Sequence, residues 1–395
     1  LLGLATIGTY GAASYAAGVF VPAIADDTGW GAAAPSAGVS IAILGQGAVA
    51  LLAGKILDSS GSRAVLLPSL VGGGLLLLLA SVAQEPWQFI VAWASGASII
   101  GGCLFYNVTM PITARLYPAE RAAAFSTLTL LGALASPVFY PIAGFLIDEW
   151  GWRHALQGLI GLMVLFAAPA ALIIRVPGAR VSKEAAQDQS LVACLKEPAI
   201  HRLLVVLALV GFAHSALLLS QVPAMQAAGL TLATASWFAG LRGLFQIPGR
   251  LLLTPLIARF GLRGTMVVCY VSAVTAGLAL LVALQGQAAW VLVLYFSVIG
   301  GMSLGLRSPL TGLLQAEVFG DARLGLLSGI ALLLSSLASA LGALLSGVLV
   351  DVTDSYGPTL ALVLAAYGLT LITFAWQGRA RTDSTSLPPV SVSPT

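Results

Sequence analysis

The feature that most restricts this chain is its series of long apolar stretches, which are almost free of charged residues. Asp, Glu, Lys and Arg make up 8% of the sequence, whereas a soluble globular domain has about 25%. A surface that faces water cannot be built from so few charges. A helix that crosses a bilayer needs about 20 largely apolar residues, and the mean hydropathy of +0.97 fits many such helices. The sequence therefore predicts an all-α membrane protein.

Twelve such stretches are present, six on each side of a polar segment. We expect membrane-spanning helices near residues 1–24, 33–54, 64–83, 87–114, 122–147, 154–175, 201–228, 232–257, 265–285, 289–314, 324–350 and 357–376. The first stretch is long and has no basic start, so we expect a span and not a cleaved signal. The predicted organisation is an N-terminal six-helix bundle at 1–175, a cytoplasmic linker at 176–200, a C-terminal six-helix bundle at 201–377 and a disordered cytoplasmic tail at 378–395.

The distribution of Lys and Arg predicts the orientation. With both termini in the cytoplasm, fourteen of the eighteen basic residues fall in cytoplasmic segments, Arg153 alone falls in an outer loop, and three fall within spans. Cytoplasmic loops carry an excess of Lys and Arg. We therefore expect a multi-pass protein of the inner (plasma) membrane with both termini cytoplasmic. The basic residues are dispersed, so we expect no nucleic-acid partner, and we expect a monomer in the lipid bilayer.

The two halves of the chain repeat each other at an offset of about 200 residues. The matching segments are 58–63 with 258–263, 115–121 with 317–323, and 144–148 with 347–351. Because each half has an even number of spans, both copies have the same orientation in the membrane. In transporters, this arrangement surrounds a site near the middle of the bilayer.

The ten residues from Gly54 to Arg63, between the second and third spans, read G-K-I-L-D-S-S-G-S-R. They resemble the loop signature of the major facilitator superfamily, G-x-x-x-D-x-x-G-x-R, at the fixed positions Gly54, Asp58, Gly61 and Arg63. The glycines permit a tight turn, and Asp58 can cap a neighbouring helix or pair with an Arg. The resemblance implies a conformational switch in this loop and a fold of twelve transmembrane helices in two pseudo-symmetric six-helix bundles. The second copy has Ala258 in place of the acid, so we expect an asymmetric switch.

Shorter motifs resemble the monocarboxylate-transporter-like branch of that superfamily. They are Pro137, Pro141 and Gly144 in the fifth span, the outer Gly151-Trp152-Arg153, and Gln246-Ile247-Pro248-Gly249-Arg250 in the eighth span. In that branch an Arg at the place of Arg250 faces the cavity and binds a substrate carboxylate. The acidic residue that the branch has one turn earlier is Gln246 here, which argues against ordinary proton coupling.

The predicted spans contain no Asp or Glu, but they contain Arg242, Arg250 and Arg307. A charged residue at the centre of a membrane helix costs about 2.5–3.5 kcal/mol on insertion scales, so each Arg needs a compensating role. The spacing of Arg242, Gln246 and Arg250 places them on one helix face, and unpaired guanidinium groups bind anions well. The candidate substrate-binding residues are Arg250 as the principal ligand, Arg307 as the second positive group, and Gln246, Gln46, Arg242, Asn107, Tyr106, Tyr10 and His214.

Each of these residues has a structural alternative. Arg250 could extend to the cytoplasmic surface, Arg307 could cap carbonyl groups of its own span, and Arg242 could have a packing role. His214 is the one group in the middle of a span that titrates near physiological pH, but hydrogen-bonded packing would also explain it. Further polar groups that could face a cavity are Ser14 and Tyr140.

Together these observations predict a secondary active transporter that moves a small organic anion by alternating access, and the resemblance implies a monocarboxylate. The sequence has no Walker A pattern, metal-ligand spacing or nucleophile motif, so we expect no enzyme activity, cofactor or metal site. Two alternatives remain. A multidrug or cationic-compound exporter of the same fold would usually need an acidic residue within the spans. A non-transporting membrane receptor or scaffold would not need the Asp58 loop.

Overall fold

The computed structural model describes residues 1–178, 197–286, 289–319 and 324–382, and these are helical apart from short connections. The helices, numbered in chain order, are α1 (Leu2–Tyr10), a π-helical turn (Gly11–Tyr15), α2 (Ala17–Thr28), α3 (Ala33–Ser60), α4 (Ser62–Ser81), α5 (Pro86–Leu104), α6 (Tyr106–Leu116), α7 (Arg121–Gly132), α8 (Ala135–Ile173), α9 (Pro198–Ala227), α10 (Leu232–Leu244), α11 (Gln246–Leu251), α12 (Leu253–Ala283), α13 (Ala289–Phe319), α14 (Leu324–Thr353) and α15 (Gly357–Thr382). Most of the predicted linker and tail lies outside the described residues, although α15 continues into the segment predicted as tail.

Within the described residues, ten helices are long and apolar enough to cross a membrane. Two long helices are bent at a glycine, α8 at Gly151 with φ 73° and α12 at Gly261 with φ 69°. Gly61, between α3 and α4, has a φ of 87°. Glycine adopts positive φ without the steric cost that a side chain brings. Gly61 and Gly261 thus make equivalent turns 200 residues apart, in agreement with the repeat found in the sequence.

Several membrane helices are interrupted near their middle. The π-helical turn Gly11–Tyr15 separates α1 from α2, and the extended residue Phe105 separates α5 from α6. The second break leaves carbonyl groups of α5 without a helical partner. Asn107 supplies one, because its Nδ2 donates to the Gly102 carbonyl oxygen at 2.6 Å. Single-residue turns also separate α10, α11 and α12. Such breaks occur at membrane depth where the backbone is buried in protein or lines a cavity. They therefore direct attention to the centre of the molecule.

The helices pack within each half and across the two halves. In the first half α3 packs on α5, and α4 packs on α5 and α8; in the second half α9 packs on α14 and α15, and α12 on α13 and α15. The most extensive contacts between opposite halves, within the described residues, are those of α2 with α9, α3 with α14, and α8 with α10. A Cβ on Gly18 would lie 2.4 Å from the Leu218 carbonyl oxygen, so this glycine allows the close approach of α2 and α9. Small residues at such contacts are typical of membrane proteins.

The two ends of the molecule are named here after two aspartates. The Asp58 end contains the α3–α4 turn, which is held against the chain that follows α8, because Ser62 N–H donates to the Val176 carbonyl oxygen at 2.9 Å. The Asp351 end contains the end of α14 and the start of α3, which meet at Ala32. The centre between these ends contains the candidate site.

Candidate functional site

Arg242 occupies the centre of the molecule near the end of α10. It is 5% exposed, and its Nη1 donates to Oε1 of Gln221 at 2.9 Å. The guanidinium carbon lies 5.1 Å from the centroid of the Phe296 ring, within the range of a cation–π contact. No carboxylate of the described residues forms an ion pair with it within 4.0 Å. The positive charge of Arg242 is therefore buried with neutral partners only.

The partner of Arg242 is itself held from the opposite half. Gln221, on α9, is 1% exposed, and its Nε2 donates to the Tyr140 hydroxyl at 2.6 Å. Tyr140 belongs to α8 in the first half, so two hydrogen bonds connect Tyr140, Gln221 and Arg242 across the contact between the halves. The amide of Gln221 uses both of its ends in this chain of bonds. The position of the guanidinium is thus fixed by residues from two helices and both halves.

Arg242 separates two small cavities. One lies within the second half, has a volume of about 10 Å³ and is lined by Leu217, Arg242, Tyr270, Ala273, Ala276, Phe296, Gly300, Ser303, Leu304, Arg307 and Tyr367. The other lies between the halves, has a volume of about 10 Å³ and is lined by Tyr15, Ser136, Tyr140, Leu218, Gln221, Ala239, Arg242, Gly243, Gln246 and Leu304. Each volume is about that of one water-sized probe. Neither cavity, as the described residues form it, has an acidic residue in its wall.

Several buried polar atoms around these cavities lack a hydrogen-bond partner among the described residues. They are Nε of Arg242, Nε2 of Gln246, Oγ of Ser136 and the hydroxyl of Tyr270. Buried polar groups are nearly always hydrogen-bonded, and leaving one unpaired costs about 1–3 kcal/mol. Arg242 and Gln246 can only donate through these atoms, and the two hydroxyls can also donate. The set therefore suits a ligand that is rich in acceptors.

The other two arginines differ in their relation to this centre. Arg307, on α13, is partly buried and its Nη1 lies 3.4 Å from the Tyr367 hydroxyl. Arg250, on α11, is partly buried and its Nη1 donates to the Thr129 carbonyl oxygen of the first half at 2.9 Å. Arg250 does not line either central cavity. Tyr15 lines the cavity between the halves together with Arg242.

A row of aromatic side chains forms the first-half side of the site. The ring centroids of Tyr10 and Tyr106 are 5.1 Å apart, those of Tyr10 and Tyr15 are 6.5 Å apart, and those of Tyr15 and Tyr140 are 6.0 Å apart. The ring of Phe105 stacks on Tyr10. The helix breaks at Gly11–Tyr15 and Phe105 bring these rings together. The row leads from Tyr140, in the wall of the cavity between the halves, through Tyr15 and Tyr10 to Tyr106 on α6.

Three other residues predicted for the site lie outside the two central cavities. Asn107 is exposed and bonded to the backbone break of its own helix. Gln46 is partly buried, and its Oε1 would lie 2.6 Å from a Cβ on Gly101, so it packs against α5. His214 is on α9, and its buried Nδ1 has no partner among the described residues. The structure thus brings together Arg242, Gln246 and Arg307 from the predicted set, with Arg250, Tyr10 and Tyr106 nearby.

The sequence reasoning missed Gln221, Tyr15 and Ser136. Gln221 carries a signal that could have been used, because a polar amide within an apolar span is costly for the same reason as a charge. Its link to Arg242 could not be seen, since the two residues are 21 positions apart on different helices. Tyr15 depends on the π-helical turn, which no local pattern indicated.

The Asp58 loop is bound to its own half. Asp58 pairs with Arg115 at the end of α6. Gly61, with φ 87°, lies against the chain after α8, and a Cβ on it would be 2.4 Å from the Val176 carbonyl oxygen. Arg63 is exposed, and a Cβ placed on Gly54 would meet no atom of another element within 4 Å among the described residues. In this conformation the loop is thus anchored within the first half.

A larger cavity lies away from this centre, at the Asp351 end between α2 and α8. It measures about 530 Å³ and includes Asp27, Trp152 and Arg153 in its wall. The Trp152 indole donates to Asp27 at 2.8 Å, and Arg153 donates to the carbonyl oxygens of Ser81 and Ala83. These bonds tie the helix ends of the first half together. The outer Gly151-Trp152-Arg153 motif therefore has a structural role here, distant from the arginine centre.

Comparison with known proteins shows the family of this chain. The model of the Major Facilitator Superfamily matches residues 2–343 and 203–392. An uncharacterized transporter of Bacillus subtilis (strain 168), YycB, is 27% identical over 319 residues, which are 78% of this chain and 76% of the relative. The multidrug resistance protein MdtG of Klebsiella pneumoniae (strain 342) is 32% identical over 101 residues, which are 25% of this chain and 24% of that protein.

Solved structures show the same fold. A crystal structure of a mutant of the nucleoside transporter NupG superposes with a TM-score of 0.79 at 12% identity and covers 95% of this chain and 97% of that one. A structure from work on substrate recognition in proton-dependent oligopeptide transporters has a TM-score of 0.72 at 14% identity, with 96% and 98% coverage.

Proposed function

Since the chain belongs to the Major Facilitator Superfamily, and is thus a multi-pass membrane transporter and not an enzyme, we propose that it moves a small organic anion by alternating access, with Arg242 as the principal ligand. The observation that carries this proposal is the burial of the Arg242 charge among neutral groups, with its Nε–H unpartnered. A buried charge without a counter-ion is strongly unfavourable. A bound anion supplies the missing negative charge and accepts a hydrogen bond from the free Nε–H of Arg242.

The chemistry of the neighbouring groups supports the same substrate class. Gln246 Nε2 and Ser136 Oγ are buried next to Arg242 and have hydrogen-bond capacity to spare within the described residues. A carboxylate has about four acceptor positions and can satisfy a guanidinium and one or two further donors together. Arg307 lines the second cavity beside Arg242 and adds a second positive group. The resemblance to the monocarboxylate-transporter-like branch agrees with a carboxylate.

We assign Arg250 a place nearer the Asp58 end of the pathway. Its Nη1 is bonded to the Thr129 carbonyl oxygen of the opposite half, whereas Arg242 lines both central cavities. An anion that approaches from the Asp58 end would meet Arg250 before it meets Arg242. This reverses the order that the branch motif predicts for the two arginines.

We also propose twelve crossings in two six-helix bundles, with both termini in the cytoplasm. This number follows when α8 is divided at Gly151 and α12 at Gly261, and when the interrupted segments are joined into single crossings. The joined segments are α1 with α2, α5 with α6, α7 with the first part of α8, and α10 and α11 with the first part of α12. The excess of Lys and Arg at the Asp58 end supports a cytoplasmic position for that end. A cysteine at exposed Ser60 should react with an impermeant reagent only after the cells are opened, and one at exposed Asp354 should react in intact cells. The reverse pattern would overturn the orientation.

A multidrug exporter is the second candidate, and the likeness of a quarter of the chain to MdtG favours it. An exporter of cations needs negative charge where its substrate binds, and the described walls of the two central cavities are without acidic residues. The wall of the central site is thus better suited to anions.

The test is a thermal-shift screen of the purified protein with monocarboxylates, dicarboxylates, organophosphates and lipophilic cations. A ligand at about 100 times its Kd stabilises the folded state by about 2.7 kcal/mol. We expect stabilisation by one class of anion, its loss in Arg242→Gln, and its retention in Arg259→Gln, which removes an exposed arginine. Stabilisation by cations alone, or an unchanged response in Arg242→Gln, would reject the proposal.

A further inference from the structure

Asp351, in the last turn of α14, caps the start of α3, a helix of the opposite half. Its Oδ1 accepts a hydrogen bond from the N–H of Ala32 at 2.7 Å, and its Oδ2 accepts one from Ala33 at 2.8 Å. The first N–H groups of a helix have no partner within the helix and carry a partial positive charge. A carboxylate that accepts two of them makes a strong charge-assisted contact. The contact joins the two halves at the Asp351 end.

The equivalent residue of the first half has the equivalent position. Asp148 corresponds to Asp351 at an offset of 203 residues, and its carboxyl group lies beside the backbone N–H of Ala233 near the start of α10. Ala33 and Ala233 are 200 residues apart. Each half therefore places an aspartate at the start of one helix of the other half.

A glycine one turn before each aspartate completes the match. A Cβ on Gly347 would lie 2.5 Å from Ser36 Oγ, and a Cβ on Gly144 would lie 2.4 Å from Ser236 Oγ. Ser36 and Ser236 are both 0% exposed, and neither hydroxyl has a hydrogen-bond partner among the described residues. The glycine and the serine thus fit each other by shape, and no larger side chain than hydrogen fits at either glycine.

The same G-x-x-x-D pattern occurs a third time, at Gly54 and Asp58, and there it is not engaged with the other half. Among the described residues, no heavy atom apart from neighbours in its own helix lies within 4 Å of a Cβ placed on Gly54. Asp58 pairs with Arg115 of its own half. The two copies of the pattern at the Asp351 end meet the opposite half, whereas the copy at the Asp58 end contacts only its own half.

We propose that Gly144 with Asp148, and Gly347 with Asp351, form two symmetric latches that hold the Asp351 end shut and that must both release before this end opens. The latch inference rests on alternating access, as proposed above, but not on the charge of the substrate. Only an interaction that differs between two states can shift their populations, and each of these contacts is lost when α3 and α14, or α8 and α10, separate.

The test is a distance measurement across the Asp351 end by pulsed electron paramagnetic resonance, without added substrate. Spin labels are placed on cysteines at exposed Gln84 and Gln285, in the full chain with Cys103, Cys194 and Cys269 replaced. We expect Asp351→Ala and Asp148→Ala each to raise the population of a longer distance by about 10-fold, which corresponds to 1.4 kcal/mol. The double variant should raise it further.

Two companion variants keep the outcome decisive. Asp354→Asn removes the same formal charge three residues away from Asp351 and leaves Asp148 and Asp351 in place, so it should leave the distance unchanged. Gly347→Leu forces α14 away from Ser36 and should lengthen the distance by a steric route. If Gly347→Leu opens the end but neither aspartate variant does, the latch proposal is wrong and alternating access stands. If no variant, including Gly347→Leu, lengthens the distance, alternating access at this end is wrong as well.

Discussion

The guanidinium of Arg242 lies 2.9 Å from Oε1 of Gln221, and this is the contact that fixes the direction of the central positive charge. Gln221 is in turn bonded to Tyr140 of the opposite half. An amide oxygen is a neutral partner, so it orients the guanidinium without cancelling its charge. The arrangement leaves the Nε–H of Arg242 for a ligand.

Substitution of the two arginines of α10 and α11 should have unequal effects on anion binding. Losing one partner of a buried charge pair costs about 2–5 kcal/mol, which is roughly 30-fold or more in affinity. Arg242→Gln should therefore lose binding by at least that factor. Arg250→Gln removes a contact to the Thr129 carbonyl oxygen and should weaken binding less. Isothermal titration calorimetry with the anion found by the screen measures both, and a larger loss in Arg250→Gln would restore the order predicted from the branch motif.

Removal of the Tyr140 hydroxyl should weaken binding through Gln221. Tyr140→Phe leaves the ring in place but takes away the acceptor for Gln221 Nε2. A hydrogen bond contributes about 0.5–1.5 kcal/mol net, so we expect a loss of about 3- to 10-fold in affinity. Tyr10→Phe is the matched control, because Tyr10 belongs to the same aromatic row but not to the hydrogen-bonded chain to Arg242. Equal losses of affinity in both variants would show that the Tyr140 hydroxyl does not act through Gln221 and Arg242.

The Asp58 pair should control turnover and not binding. Asp58→Ala frees Arg115 and removes the group that the loop signature implies as a switch at this end. Transport into proteoliposomes should slow several-fold while the anion affinity measured in detergent changes little. Asp58→Asn should act in the same direction, since it keeps the shape and removes the charge. Normal transport by both variants would show that this carboxylate is not part of the switch.

Substitution of His214 should leave most transport intact. Its Nδ1 is buried without a partner in the described part of the chain, and the residue is absent from the described walls of both central cavities. We expect His214→Gln to keep the affinity and the pH dependence of uptake. Uptake measured between pH 5.5 and 8 tests this. A variant that binds the anion normally but has lost its pH dependence would make His214 the proton carrier.

The sequence predicted those parts of the structure that depend on local composition or on the repeat. The equivalence of Gly61 and Gly261 followed from matching segments, and both residues have positive φ. The ranking of the arginines used the branch motif and the spacing along one helix, and that helix is interrupted between α10 and α11. The partners of Arg242 and Arg250 are on other helices, and such pairings depend on packing between distant segments.

The π-helical turn at Gly11–Tyr15 gives the first membrane helix a freedom that a regular helix lacks. An α-helix has 3.6 residues per turn, so each residue is rotated by about 100° from the next, and a π turn contains one residue more than the regular repeat. When such a turn moves by one position, the residue that it passes rotates while both helix ends keep their places. Tyr15 is the last residue of the turn and faces the central cavity. A shift of the turn by one position would therefore reorient Tyr15 relative to Arg242, which lines the same cavity, without separating α2 from α9.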